Sequence, residues 1–236
     1  MSTFKAPKRI NKRHEMREDT LLSASDRFFL FFEENRSMVF GTLGVVVLAV
    51  LVYIGYGFYM DGRQQDAQVQ LADALIAYGD GQYQGALDGM DGRIGLVEVA
   101  DKFSATKAGN LARFYAGDAL FNLGQHEEAL SYFQRFKADG NALGAGAKAA
   151  EAAIHETLGD FERAGDSYQA AANIYESDET SALYLQKAGR SYEKAGEYSE
   201  AREMYEMIRD DYSEASAAGE VDYLLARVNV LDASGN

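Results

Sequence analysis

Histidine and cysteine, two residue types that often carry catalysis, are scarce or absent in this chain. Its 236 residues contain three histidines, His14, His126 and His155, and no cysteine. Without cysteine the chain can form neither a disulfide bond nor a thiolate nucleophile, and it offers no cysteine for a lipid anchor. No Ser-His-Asp arrangement and no metal-ligand spacing accompanies the histidines. The sequence therefore predicts structural roles for them, no enzymatic activity, and no metal or cofactor.

Two segments have the composition of ligand-binding loops but lack the required positions. DGNALGAGAKAAE, from Asp139, resembles a calcium loop, but Leu143 and Ala150 occupy its fifth and twelfth places, where oxygen ligands are needed. GDGQYQGALDGMDGRIG, from Gly79, is rich in glycine. It matches neither G-x-G-x-x-G nor the Walker A spacing, and no strand precedes it. We expect neither segment to hold an ion or a phosphate.

The charge distribution separates a short N-terminal part from the rest of the chain. The formal net charge is −14, with +2 on residues 1–37 and −16 on the remainder. So acidic a surface repels phosphate backbones. The larger part is therefore not expected to bind nucleic acid, and acidic clusters such as Asp210 and Asp211 are interpreted as a solvated face.

An uncharged segment from Met38 to Met60 predicts a membrane span. As a helix its 23 residues extend about 35 Å, enough to cross a hydrocarbon core of about 30 Å. A cleaved signal peptide and a buried core helix are the alternatives, both disfavoured by the length of the apolar run. Lysine and arginine before the span outnumber those just after it, which predicts a cytoplasmic N-terminus and an external C-terminal part. The cations before the span are Lys5, Lys8, Arg9, Lys12, Arg13, Arg17, Arg27 and Arg36, and Arg63 follows it.

Aromatic residues directly before the span predict a short juxtamembrane helix. The segment DRFFLFFEEN places Phe28, Phe29, Phe31 and Phe32 where they could lie among lipid headgroups. A docking patch for a cytoplasmic partner is the alternative that the residues leave open.

Beyond the span the apolar spacing is helical, and no alternating strand pattern occurs. Apolar residues from Ala67 to Tyr78 continue the helical period of the span. Further helices are predicted at Leu96 to Phe103 and at about 108–122, 126–138, 145–158, 161–175, 180–194, 198–211 and 216–231. The fold class expected from this pattern is all-α.

One ten-residue pattern occurs three times: GQHEEALSYF from Gly124, GDFERAGDSY from Gly159 and GEYSEAREMY from Gly196. The spacings of 35 and 37 residues are close to the 34-residue tetratricopeptide repeat, a helix-turn-helix unit. A degenerate copy begins at Gly81, with Met90 in the aromatic place. Because one hairpin cannot bury its apolar face alone, stacked copies are expected to form a tetratricopeptide-like solenoid, capped by a helix from Val221 to Leu231.

Each place in the pattern has a packing role. The glycine ends the first helix of a pair, the alanine lies where the two helices approach closely, and the aromatic residue fills the gap. A small residue upstream, in the first helix, completes the set. The predicted packing residues are Gly117, Gly124, Ala129 and Phe133; Ala152, Gly159, Ala164 and Tyr168; and Gly189, Gly196, Ala201 and Tyr205.

Four segments follow from these patterns. They are a cytoplasmic tail with its juxtamembrane helix (1–37), a transmembrane helix (38–60), a helical linker with a degenerate first repeat (61–107), and a tetratricopeptide-repeat domain with a C-terminal capping helix (108–236).

The whole layout resembles the YfgM-like single-span tetratricopeptide proteins of bacteria, especially their Bacteroidetes-type versions. The resemblance is carried by TKAGNLARFYAGDALFNLG from Thr106, YLQKAGRSYEKAGEYSEA from Tyr184, and the charged tail before Met38. It implies an inner-membrane protein with a periplasmic helical domain beside the Sec translocon. The implied partners are translocon subunits, a periplasmic folding factor and emerging polypeptides.

The resemblance also implies a partner groove on the first helices of the pairs. Its candidate residues are Phe114, Asp118, Phe121, Asn122, Glu156, Gln186, Arg190 and Glu193. That these side chains are only solvated or buried remains the alternative. We expect a membrane-anchored interaction scaffold, an ancillary factor or holdase of the translocon, or else a scaffold for another envelope assembly or division complex.

Overall fold

The computed structural model describes residues 29–235, and these residues form helices and turns without a strand. Residues 1–28 and Asn236 lie outside the described residues, and with them most of the predicted cytoplasmic tail, including Phe28. Residues 29–34 are helical. The helices that follow are α1 (Arg36–Gly79), α2 (Tyr83–Asp88), α3 (Leu96–Lys102), α4 (Lys107–Asn122), α5 (His126–Arg135), α6 (Ala142–Thr157), α7 (Phe161–Ile174), α8 (Asp178–Ala195), α9 (Tyr198–Asp211) and α10 (Val221–Gly235).

The chain divides into two units, Met1–Tyr59 and Met60–Asn236. In the first unit, the apolar part of α1 exposes large side chains such as Val45, Leu48 and Leu51. An 18-residue window of α1 has a mean hydropathy of 2.5, and none of the window is buried. Among residues 29–235, α1 is the one helix long and apolar enough to cross a bilayer. The structure is therefore compatible with a single span.

The second unit is built from helical hairpins whose ends are set by a few residues. Thr106 and Asn141 cap the N-termini of α4 and α6, each accepting a hydrogen bond from a backbone N–H three residues later. Gly124, Gly159 and Gly196 follow α4, α6 and α8 with φ between 76° and 87°. In this left-handed region a side chain would be strained, so glycine ends the first helix of each pair and lets the chain reverse.

Two apolar core clusters fill the second unit, and α6 contributes to both. The first extends from Ala67 on α1 to Ile154 on α6. The second extends from Ala152 on α6 to Val228 on α10. The core therefore has two parts that meet at α6, as expected of an array in which each helix pair covers the apolar side of its neighbour.

The degenerate first copy has the predicted turn but a truncated second helix. Gly81 has a φ of 73°, and Ala86 is fully buried against the first core cluster. However, α2 ends at Asp88, so Met90 lies beyond the helix and remains 41% exposed. The sulfur of Met90 lies against Gly85. The methionine therefore packs on its own turn rather than into a hairpin.

Several predicted helix ends were wrong by three residues or more, and two of them lie where the chain contacts a residue distant in sequence. Helix α5 ends at Arg135 rather than at 138, because Phe136 adopts an extended backbone and its ring packs 5.7 Å from the ring of Phe114. The predicted helix 216–231 begins with a 3-10 turn at Ser216–Glu220, and α10 starts at Val221, where the capping helix was predicted to start. Glu220 in that turn accepts a hydrogen bond from Arg190.

Candidate partner-binding groove

The three full copies of the pattern, which begin at Gly124, Gly159 and Gly196, are called the first, second and third copies from here on. Their packing positions meet in the same way in the first and third copies. A methyl group added to Gly117 would lie 3.1 Å from the ring of Phe133, and one added to Gly189 would lie 2.4 Å from the ring of Tyr205. The small residue of the first helix thus lies against the aromatic ring of the second.

The middle copy has alanine at the small position. Ala152 and Tyr168 are both buried in the second core cluster. The alanines at the sixth place of the three copies, Ala129, Ala164 and Ala201, are fully buried. In each copy, therefore, the tenth place holds a large aromatic side chain. The sixth place and the upstream place in the first helix hold small residues.

In the second copy, Glu156 is the centre of a polar cluster that joins three helices. Its carboxylate accepts hydrogen bonds from the Tyr168 hydroxyl of α7 at 3.2 Å and the Ser191 hydroxyl of α8 at 3.2 Å. The ammonium group of Lys194, also on α8, lies 3.1 Å away. Burial, and then the nearby carboxylate of Glu156, raises the pKa of the Tyr168 hydroxyl.

In the third copy, Glu193 occupies the same place with the same kinds of partner. It accepts from the Tyr205 hydroxyl of α9 at 2.7 Å and from the Arg227 guanidinium of α10 at 2.8 Å. Burial and the hydrogen bond to Glu193 raise the pKa of Tyr205, and Arg227 opposes that shift. Glu156 and Glu193 thus each bind the second helix of their own pair and the first helix of the next.

The first copy replaces this polar cluster with aromatic rings. Phe121 stands three residues before Gly124, as Glu156 and Glu193 stand before their glycines, and Phe133 stands where the tyrosines stand. Phe114 is partly buried, with its ring 5.8 Å from Phe133. The ring of Phe121 lies 5.4 Å from that of His126.

Most of the candidate groove residues contact neighbouring elements. Asp118 accepts hydrogen bonds from the Tyr78 hydroxyl and the Asn122 amide. Gln186 and Arg190 both donate to Glu220, at 3.4 and 2.8 Å. Asn122 and Arg190 are exposed, while Phe121 is half-buried. An open cleft of about 570 Å³ beside Arg190 is lined by Arg190, Glu193, Lys194, Tyr198, Arg227 and Leu231.

Sequence reasoning missed the partners that complete these clusters. Ser191 and Lys194 follow Glu156 by 35 and 38 residues, and Arg227 follows Glu193 by 34. These separations are close to one repeat period. A search for complementary charges one period apart could therefore have found Lys194 and Arg227, but not the uncharged Ser191.

Structural roles were predicted for three histidines, of which His126 and His155 lie in the array and His14 lies outside the described residues. His155 is buried in α6, and His126 begins α5 with its Nδ1 atom buried and without a hydrogen-bond partner. Across the described range, 29–235, no group of three His, Asp or Glu side chains could hold a metal ion.

The tetratricopeptide repeat family matches the chain at residues 111–139 and 184–215. The first segment lies on α4 and α5, and the second on α8 and α9. No curated protein and no solved structure matches the chain. The middle pair, α6 and α7, lies outside the matched segments but repeats their geometry. The repeats indicate a protein–protein interaction scaffold, a fold that is typically non-catalytic.

Proposed function

We propose that this protein is a membrane-anchored scaffold that holds other proteins against the first helices of its repeat array, as an ancillary factor or holdase of the Sec translocon. In this proposal α1 crosses a bacterial inner membrane, the N-terminus is cytoplasmic and the repeats are periplasmic. The observation that carries it is the combination, in one chain, of a tetratricopeptide-like array with an apolar helix suited to a span.

The surface proposed to receive partners has an apolar part and a charged part. Phe121 and Asn122 at the end of α4 supply the apolar part and its polar rim. The cleft between α8 and α10, with Arg190, Lys194 and Arg227 on its walls, supplies the charged part. Apolar contact is non-directional and contributes about 25 cal/mol per Å² buried, so Phe121 would tolerate many sequences. The charged cleft would favour some partners over others.

Photo-crosslinking in living cells tests the partner. A photoreactive phenylalanine analogue is placed at Phe121, Asn122 or Lys194 of the full chain, and at Gln134 on the exposed side of α5 as the matched control. Adducts with channel subunits and emerging polypeptides, from the first three positions and not from Gln134, are expected. Adducts with division or outer-membrane components would instead support the alternative envelope scaffold. Equal adducts from Gln134 would contradict the groove.

Orientation is tested separately, because the chain has no natural cysteine to interfere. Single cysteines at Glu33 and Glu200, both exposed, are labelled with a membrane-impermeant maleimide on intact spheroplasts. Labelling of Glu200→Cys but not of Glu33→Cys is expected, with both labelled after lysis. The reverse pattern would invert the proposed topology and remove the periplasmic role, whatever the crosslinking partners prove to be.

A further inference from the structure

Polar contacts join the first helices of neighbouring pairs at three joints of the array. Between α1 and α4, the Tyr78 hydroxyl donates to Asp118. Between α6 and α8, Glu156 binds Ser191 and Lys194. Between α8 and α10, Glu193 binds Arg227. Hydrogen bonds to charged groups depend strongly on direction, so each of these contacts fixes how one pair sits on the next.

The joint between α4 and α6 lacks such a contact, and the sequence shows why. Phe121 replaces the carboxylate, while Ile154 and Thr157 of α6 stand where Ser191 and Lys194 stand in α8. Among the described residues, no hydrogen bond or ion pair joins α4 or α5 to α6. We call a carboxylate contact between two first helices a lock. The joint between α4 and α6 lacks both the acceptor and the donors of such a lock.

What holds this joint is apolar contact by mostly small side chains. Ala147, Ala150 and Ile154 of α6 pack into the first core cluster with Phe114 and Phe121. Because apolar attraction is non-directional, a small rotation at such a surface exchanges one set of contacts for another of similar area. Shear between packed helices occurs through small sliding of this kind.

Helix α5, the second helix of the pair that α4 begins, is also shorter than its counterparts in the two later pairs. Helix α5 has 10 residues, whereas α7 and α9 have 14 each. An open cleft of about 370 Å³ lies beside the connection after α5, lined by Thr106 and Asn110 on one side and by Phe136 and Leu143 on the other. Gly140, with a φ of 66°, lies in the connecting segment. The backbone of Lys137 in that segment forms two hydrogen bonds with the Asn110 side chain of α4, at 2.9 and 3.0 Å, so the chain is tied to α4 up to residue 137. Free volume and a connection without helical hydrogen bonds therefore occur at residues 138–141 of the one unlocked joint.

We propose that the array is hinged at this joint: residues 60–137 and residues 142–235 are two rigid blocks that rotate relative to each other about residues 138–141 and so change the width of the groove beside Phe121. The hinge lets one scaffold accommodate partners of different thickness. It follows from the contacts alone and stands or falls independently of the Sec assignment.

Distance measurements between spin labels test the hinge on the full chain in detergent micelles. Cysteines at Glu127 and Glu162 report across the joint, and cysteines at Glu162 and Ser199 report across the locked joint one repeat later. All three sites are exposed and lie three residues after a repeat glycine, so the pairs are matched. The first pair should give a distance distribution at least about twice as wide as the second. Equal widths would overturn the hinge.

Two further variants test whether the missing lock between α4 and α6 causes the wider distance distribution. Combining Phe121→Glu, Phe133→Tyr and Thr157→Lys rebuilds the acceptor and donors, and should narrow the first distribution to the width of the second. Because that variant places new polar groups in the core, the reverse experiment accompanies it. Combining Ser191→Ala with Lys194→Ala removes the two donors by which α8 binds Glu156. This variant should widen the distance distribution between the labels at residues 162 and 199. An unchanged second distribution would reject the lock as the source of rigidity.

Discussion

The first repeat copy and the two later copies place an aromatic ring in the same gap but surround it differently. Phe133, Tyr168 and Tyr205 are each at most 2% exposed, so the three rings are equally buried. Tyr168 and Tyr205 donate to Glu156 and Glu193, whereas Phe133 lies beside the ring of Phe114. The repeat therefore requires the volume of a ring, and the hydroxyl is an addition found only where a carboxylate is present.

The energies of these two contributions differ, which explains their different roles. Removing a buried aromatic side chain costs about 3–5 kcal/mol, whereas a hydrogen bond contributes about 0.5–1.5 kcal/mol net. A buried hydroxyl left without a partner costs about 1–3 kcal/mol. Tyrosine and glutamate are thus advantageous as a pair and costly apart. The rings supply the stability of the array, and the Tyr–Glu pairs supply fixed geometry between neighbouring helices.

Truncating the rings should give the largest loss and should not distinguish the copies. Tyr205→Ala and Phe133→Ala are each expected to lower the free energy of unfolding by about 3–5 kcal/mol. Denaturant unfolding of the full chain in detergent, followed by circular dichroism, measures both. Tyr223→Ala, at an exposed position of α10, is the control and should change little. A much smaller loss for Phe133→Ala would show that the first copy is loosely packed.

Overfilling the helix–helix contact should give the next largest effect. Ala164 is fully buried where α7 approaches α6, and Ala164→Leu is expected to cost about 1–3 kcal/mol because the added atoms force the helices apart. The same unfolding measurement applies. Glu162→Leu, two residues earlier and exposed, adds a similar apolar group without overpacking. An unchanged midpoint for Ala164→Leu would argue against close approach of the two helices.

Most of the fold could be predicted because it depends on local sequence signals. The prediction for 198–211 coincides with Tyr198–Asp211, and that for 161–175 differs by one residue from Phe161–Ile174. Glycines that end helices and apolar residues at helical spacing act over a few residues, so the sequence shows them directly.

What could not be predicted depends on residues far apart in the chain. The early end of α5 arises from the contact of Phe136 with Phe114, 22 residues earlier. The 3-10 turn before α10 accompanies the hydrogen bond from Arg190 to Glu220, 30 residues away. The candidate groove residues were chosen by position in the repeat, which cannot show that Glu156 or Gln186 binds a side chain of another element.

Removing the hydroxyls alone should give a smaller loss that does distinguish the copies. Tyr205→Phe and Tyr168→Phe are each expected to cost about 0.5–1.5 kcal/mol, because Glu193 keeps Arg227 and Glu156 keeps Lys194. Tyr223→Phe, at an exposed site, is the control and should be neutral. Losses comparable to that of Tyr205→Ala would mean that the carboxylates depend on the hydroxyls more than their cationic partners suggest.

The smallest effect expected is the alkaline loss of stability that comes from the two Tyr–Glu pairs of the later copies. Burial and the adjacent carboxylates raise the pKa of Tyr168 and Tyr205 above the usual value of about 10. Tyr168 faces Glu156, Tyr184 and Lys187, and Tyr205 faces Glu193 and Arg227. A raised folded-state pKa means that the stabilisation is complete below pH 10 and is lost as the pH rises from the unfolded-state pKa towards the folded-state one.

At pH 10 the expected loss is about 0.4 kcal/mol for each hydroxyl, because half of the unfolded tyrosines are already ionised. Between pH 8 and pH 10 the free energy of unfolding should therefore fall further in the natural chain than in a Tyr168→Phe, Tyr205→Phe variant. Phe133 has no proton to lose, so Phe133→Leu should leave the pH profile parallel to that of the natural chain at a lower stability. Parallel profiles for the natural chain and the double variant would mean that these hydroxyls ionise equally easily in the folded and unfolded states, which their burial and carboxylate partners should prevent.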